Sequence, residues 1–198
     1  GGEEMTPRAY AIDLYNRALP LVTTDPQMAY RLLVASCDAD PAFAEGWAFL
    51  GAALADLGNL PASVSALRQA LRCPDMAPEL RHRCLVNLGH RLIDGRIVSM
   101  ANVRESEEVT EDALRMESAH FGLELAPMAF SRTNKSLVAS LTGQRAKEML
   151  AARAGFELLP EPPTELGLAF ACLFQGFYRE GIERFEARFP HKLPHFLS

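Results

Sequence analysis

The chain has 198 residues, of which 48% are hydrophobic and 23% charged, a globular composition that excludes bulk disorder. Its 20 basic and 25 acidic residues leave a net charge of −5, which argues against nucleic-acid binding driven by phosphate neutralisation and against a polybasic membrane patch. No apolar run reaches the roughly 18–20 residues that span a bilayer, and no charged-then-apolar leader opens the chain.

Thr6-Pro7 predicts the first helix start, with Pro7 in an early helical position and Tyr10, Leu14, Ala18 and Leu21 on one face. Thr23-Thr24-Asp25-Pro26 starts a second helix, from Pro26 to about Ala39, with Ala29, Leu32, Leu33 and Ser36 as its packed face. Asp40-Pro41 ends it, because a residue before proline is pushed out of the α region. The third helix runs from Pro41 or Ala42 to Leu57, with Trp47, Leu50, Gly51 and Leu54 at steps of three and four. Gly58 is the expected left-handed residue past its end. A fourth helix, with Pro61 in its first turn, presents Val64, Leu67, Ala70 and Leu71 and stops before Pro74.

Trp47-x2-Leu50-Gly51-x2-Leu54, followed by Ser63-x3-Leu67, Ala70 and Pro74, resembles the tetratricopeptide repeat (TPR) pattern. A small residue at Gly51 lets two helices approach, and neighbouring pairs must cover the faces one pair leaves open. Ala29-x3-Leu33 with Pro41 repeats the second half of the unit upstream. Leu85-x2-Leu88-Gly89-x2-Leu92 repeats the first half downstream, Leu85 standing 38 residues after Trp47.

Gly95 to Thr110 shows no clean helical face and reads as an irregular insertion carrying the acidic residues Glu105, Glu107 and Glu108. A helix follows through Ala126, closed by Pro127. Ala129–Leu141 and Gln144–Leu159 make the next pair, split at Thr142-Gly143. A last pair flanks Gly176. The expected architecture is an all-α, right-handed α-solenoid of about five helix pairs. These are residues 5–41, 42–77 (the most regular repeat), 78–127 (with the insertion near 95–110), 128–160 and 161–189, followed by a linker at 190–198, all within one domain.

Chemistry-bearing patterns are few. His82 and Cys84, two apart on a helix, point to different faces, and Pro190 and Pro194 break the His191-x3-His195 spacing. His120 and His90 complete the imidazoles. No GxSxG, P-loop or GxGxxG motif occurs. Cys37, Cys73, Cys84 and Cys172 are scattered along apolar helical stretches and read as buried free thiols of a reducing compartment, the cytoplasm. No catalytic residue, metal or cofactor is expected. The acidic residues from Glu105 to Glu117 read as a solvated loop and helix start.

The TPR resemblance implies a concave face lined by the first helix of each pair. On it the expected contacts to a protein or peptide partner are Asp56 beside Ala48 and Ala52, then Arg83, Val86, His90 and Asp94, then Arg132, Ser136 and Ser140, then Phe170 and Phe174. The Lys/Asn/Arg set that clamps a C-terminal carboxylate in chaperone adaptors is missing at Ala48, Ala52, Val86 and His90. Finally, Gly176-Phe-Tyr-Arg-Glu-Gly181-Ile-Glu-Arg-Phe185-Glu186-Ala-Arg188 is similar to the end of the TPR arm of bacterial TPR-containing glycosyltransferases, with Ile182 and Ala187 where that family carries tryptophan. That resemblance implies a non-catalytic arm whose linker, Pro190 to Phe196, leads to a sugar-transfer domain. The alternative is a self-associating scaffold built on Phe170, Phe174 and Phe177.

Overall fold

A computed structural model describes residues 5–94, 98–119 and 122–188. His191, His195 and the expected linker lie outside the described residues, as do His120 and positions 95–97 of the expected insertion. The described residues form helices α1 (Pro7–Ala18), α2 (Pro26–Ala39), α3 (Ala44–Asp56), α4 (Leu60–Arg72), α5 (Pro78–Ile93), α6 (Met100–Ala119), α7 (Leu125–Leu141), α8 (Arg145–Leu158), α9 (Pro162–Phe174) and α10 (Tyr178–Arg188), with a single 3-10 turn at Leu19–Leu21. They divide into two compact units, Gly1–Arg91 and Leu92–Ser198.

In the first unit the cap chemistry matches the sequence. The Thr6 hydroxyl accepts from the Ala9 amide, Asp25 from Met28 and Asn59 from Ala62, each satisfying a donor that the first helical turn leaves open. The packed stripe of α1 is Ala11, Leu14 and Ala18. Tyr10, expected on it, is exposed, because it sits one residue, about 100° of helix, away from Ala11.

Helices α3 and α4 cross closely. A β-carbon at Gly51 would lie 2.9 Å from Leu67 Cγ, and the Ser63 hydroxyl donates to the Gly51 carbonyl at 2.6 Å. Ser36 makes the equivalent bond from α2 to the Ala11 carbonyl of α1, at 2.7 Å. Leu33, Leu50, Leu54 and Ala66 fill the core between the pairs, with Trp47 half-buried against them. The Trp47 indole N–H reaches the Pro41 carbonyl at 2.9 Å and ties the start of α3 to the preceding turn.

Three pairs end their first helix alike. Gly58, Gly143 and Gly176 have φ of 79°, 75° and 84°, and the next residue's N–H returns to a carbonyl in the last helical turn: Asn59 to Leu54, Gln144 to Ala139, Phe177 to Cys172. Only glycine adopts that left-handed conformation without steric cost.

The second unit corrects three expectations; the helix expected to run through Ala126 ends at Ala119, and α7 begins at Leu125. Residues 100–110, read as irregular, are helical, and the acidic residues ride on the 20-residue helix α6. Its buried face is Val103, Ser106, Thr110 and Ala113, spaced correctly but too small and polar to register as an apolar stripe. Ser99 caps it, its hydroxyl accepting from the Asn102 amide at 3.1 Å. Pro127, read as a terminator, lies in the first turn of α7, where a missing N–H costs nothing.

Polar contacts hold the α6–α7 crossing. The Glu117 side chain of α6, 4% exposed, accepts from the Ser131 hydroxyl at 2.6 Å and pairs with Arg132, both on α7. Lys135 of α7 pairs with Glu111 of α6 at 2.8 Å. Between α7 and α8, a β-carbon at Gly155 would meet the Ala129 carbonyl at 3.2 Å. Between α9 and α10, one at Gly181 would meet the Leu173 amide at 3.0 Å. Ala152 of α8 packs with Leu168, Ala171 and Cys172 of α9.

Candidate functional site

The ten expected contact residues have different fates. In the first unit Asp56 is exposed at the end of α3, Val86 is buried in α5, and Arg83 and His90 are half-buried on the same helix. In the second unit Asp94 is exposed just past α5. Arg132 is committed to Glu117 and to the Met128 carbonyl, at 2.6 Å. Ser136 is buried and Ser140 half-buried on α7. Phe170 is exposed and meets Phe185 edge-on at 6.0 Å. Phe174 closes α9, and its side chain lies outside the described residues. Val86 and Ser136 therefore offer no surface, and Arg132 serves the α6–α7 crossing.

Arg83 is the expected residue that opens onto a concavity. A cleft of about 120 Å³ lies between α3, which supplies Ala48, Phe49 and Ala52, and α5, which supplies Leu80, Arg83, Cys84 and Asn87. Arg83 and Asn87 are one turn apart and share a helix face. Ala52 is exposed and Ala48 nearly buried, so this wall is low and apolar. Arg83 Nε is enclosed, and among the described residues it has no hydrogen-bond acceptor. Behind the cleft, Tyr15 meets Phe43 and Phe49 edge-on at 5.5 and 5.1 Å. Burial, then the nearby Glu45 carboxylate, pushes the Tyr15 phenol upward against the opposing charge of Arg83. Sequence spacing missed Phe49, Leu80 and Asn87 as lining residues, although the four-residue step from Arg83 to Asn87 is visible in it.

The second unit has a smaller cleft of about 80 Å³ where α6, α7 and the start of α8 meet. Thr110, Val138 and Ala139 line it, with the charged Glu107, Glu111, Lys135 and Lys147 and the amide of Gln144. The Thr110 hydroxyl is buried and has no partner among the described residues. Reading 95–110 as irregular concealed this cleft, because Glu107 and Thr110 of its wall lie on α6.

The four thiols are not prepared as nucleophiles. Burial pushes the Cys37 and Cys84 thiols up to about 12 and raises Cys73 and Cys172 as well, so all four are protonated at neutral pH. Among the described residues no group of three or more His, Cys, Asp or Glu could hold a metal ion. No described helix is long and apolar enough to cross a membrane.

Compared with family models and with curated protein sequences, the chain matches none. Solved structures do resemble it. A MamA fragment from Desulfovibrio magneticus RS-1 superimposes with a TM-score of 0.66 at 18% identity, over 91% of this chain and 94% of that one. A thermophilic TPR protein of Thermus thermophilus gives 0.66 at 16% identity, over 92% and 93%. YrrB, described as a TPR protein with an unusual peptide-binding site, gives 0.63 at 13% identity, over 92% and 88%. At these identities the likeness shows the fold: an all-α solenoid of TPR-like helix pairs.

Proposed function

We propose that the chain is a non-catalytic interaction module that binds a protein or peptide partner, with the α3–α5 cleft as its principal contact. The observation that carries the reading is that cleft: an open concavity walled by alanines, with a partly enclosed cation and an amide on its far side. The protonated thiols favour binding over thiol chemistry. The sequence pattern at residues 176–188 supports a finer reading, in which the module is the N-terminal arm of a larger cytoplasmic, glycosyltransferase-like protein and orients its catalytic domain.

Filling the cleft tests the main reading. Ala52→Trp should abolish peptide binding while leaving the far-UV circular dichroism spectrum intact; retained binding would place the contact elsewhere. The arm reading expects the gene to continue past Ser198 into a nucleotide-sugar domain, and a stop codon there would remove it. Exposed Phe170 and Phe177 favour the second reading, a self-associating scaffold. It expects sedimentation to show a concentration-dependent dimer that Phe177→Ser disperses.

A further inference from the structure

The cleft between α3 and α5 holds a charge that no described residue pairs. Arg83 Nε is enclosed without an acceptor, although a guanidinium presents a planar fork of donors suited to a carboxylate. Glu45 is close enough for both charges to act on Tyr15 and Cys84, yet no ion pair joins it to Arg83 among the described residues. A partly desolvated cation at the wall of a cleft, with no ion-pair partner among the described residues, favours a negative group arriving from the open side. One turn along, Asn87 offers both an amide donor and an acceptor, as a peptide bond requires. Across the cleft, Ala48 and Ala52 leave room for the stem of a side chain, with Phe49 and Leu80 as apolar contacts. A single cation offset by Glu45 suits one carboxylate on a side chain better than a chain terminus, which multi-donor clamps hold.

We propose that the α3–α5 cleft takes an aspartate or glutamate side chain of an extended partner peptide, with Arg83 as its counter-ion and Asn87 bonded to the adjoining peptide unit. This rests on the peptide-binding reading above.

Phage-displayed random dodecamers, which present no free C-terminus, are selected on the whole chain and on its Arg83→Asp and Ala52→Trp variants. The parent should enrich Asp or Glu at one register, and Arg83→Asp should enrich Lys or Arg there. The best acidic peptide, synthesised as its C-terminal amide, should bind Arg83→Gln about tenfold or more weakly than the parent, with Arg83→Lys in between. Circular dichroism and melting confirm that each variant is folded; if Arg83→Gln does not fold, Arg83→Lys and the charge-swap selection decide. Enriched peptides that need an open cleft but show no acidic preference would overturn this inference and leave the peptide-binding reading standing. Loss of binding on amidation would likewise overturn it. No enrichment, or equal binding to Ala52→Trp, would overturn both.

Discussion

The α3–α4 and α6–α7 crossings join neighbouring helices by different means. At α3–α4 the fit is steric: Gly51 gives up its side chain to Leu67, and one neutral hydroxyl, Ser63, reaches the Gly51 carbonyl. At α6–α7 the fit is polar: Glu117 is enclosed by Ser131 and Arg132, and Lys135 pairs with Glu111. The units also differ in the polar side chains they bury. Among the described residues the first buries Ser36, Ser63 and His82. The second buries Ser106, Thr110, Ser131, Asn134, Ser136, Glu148 and Thr164. A steric fit tolerates any sequence that keeps the sizes, whereas a buried ion pair requires particular partners and becomes a liability when one is removed.

That contrast can be broken experimentally. The largest expected effect is at the polar crossing: Glu117→Ala leaves Arg132 and Ser131 facing an empty site and should cost about 2–3 kcal/mol, read from urea unfolding by circular dichroism. The Glu117→Gln/Arg132→Gln pair should recover part of it, and a strictly additive double-mutant cycle would show the two side chains to be uncoupled. At the steric crossing, Gly51→Val should cost about 1–3 kcal/mol by overpacking against Leu67. Trp47, the only tryptophan and a resident of the same helix, reports it by fluorescence. Combining it with Leu67→Ala should be less than additive, because the second change opens the space the first needs.

A smaller effect follows from the thiols. Burial pushes the Cys37 and Cys84 thiols up to about 12 in the folded chain, above the ordinary thiol value of about 8.5. The stability they contribute is complete below that ordinary value and is lost as pH rises toward the folded one. Melting temperature should therefore fall between about pH 9 and 12, and the double Cys→Ala variant should flatten the decline. A pH-independent melt across that window would mean the thiols are not desolvated. The smallest effect, of opposite sign, is at Thr110: replacing its unpartnered buried hydroxyl by Val should be neutral or stabilising by up to about 1 kcal/mol. A clear loss of stability in the melting curve would reveal a hydrogen bond there.

The same division explains what could be read in advance. Helix α2 was legible to the residue, because Asp25 and Pro26 mark its start and Asp40-Pro41 its end. The Gly58, Gly143 and Gly176 turns were legible because a left-handed position leaves few choices of residue. The first half of helix α6 was not, since hydroxyls and small side chains occupy its packed face and carboxylates its outer one. With that half unread, the second cleft was hidden. Arg132 was read as a groove contact because spacing along one helix cannot show that a carboxylate 15 residues earlier will turn toward it.

The sequence by itself determined the helix pairs, their turns and the close approach at Gly51, because caps, glycine and side-chain size act within a few residues or at a repeated spacing. Only the tertiary structure decided which charges are spent on packing and which remain open. Arg132 and Arg83 look alike in sequence. One is paired across a helix crossing, and the other stands at the wall of a cleft without an acceptor for its Nε among the described residues. Pairing depends on which helix faces meet in space, and that is a property of the assembled fold.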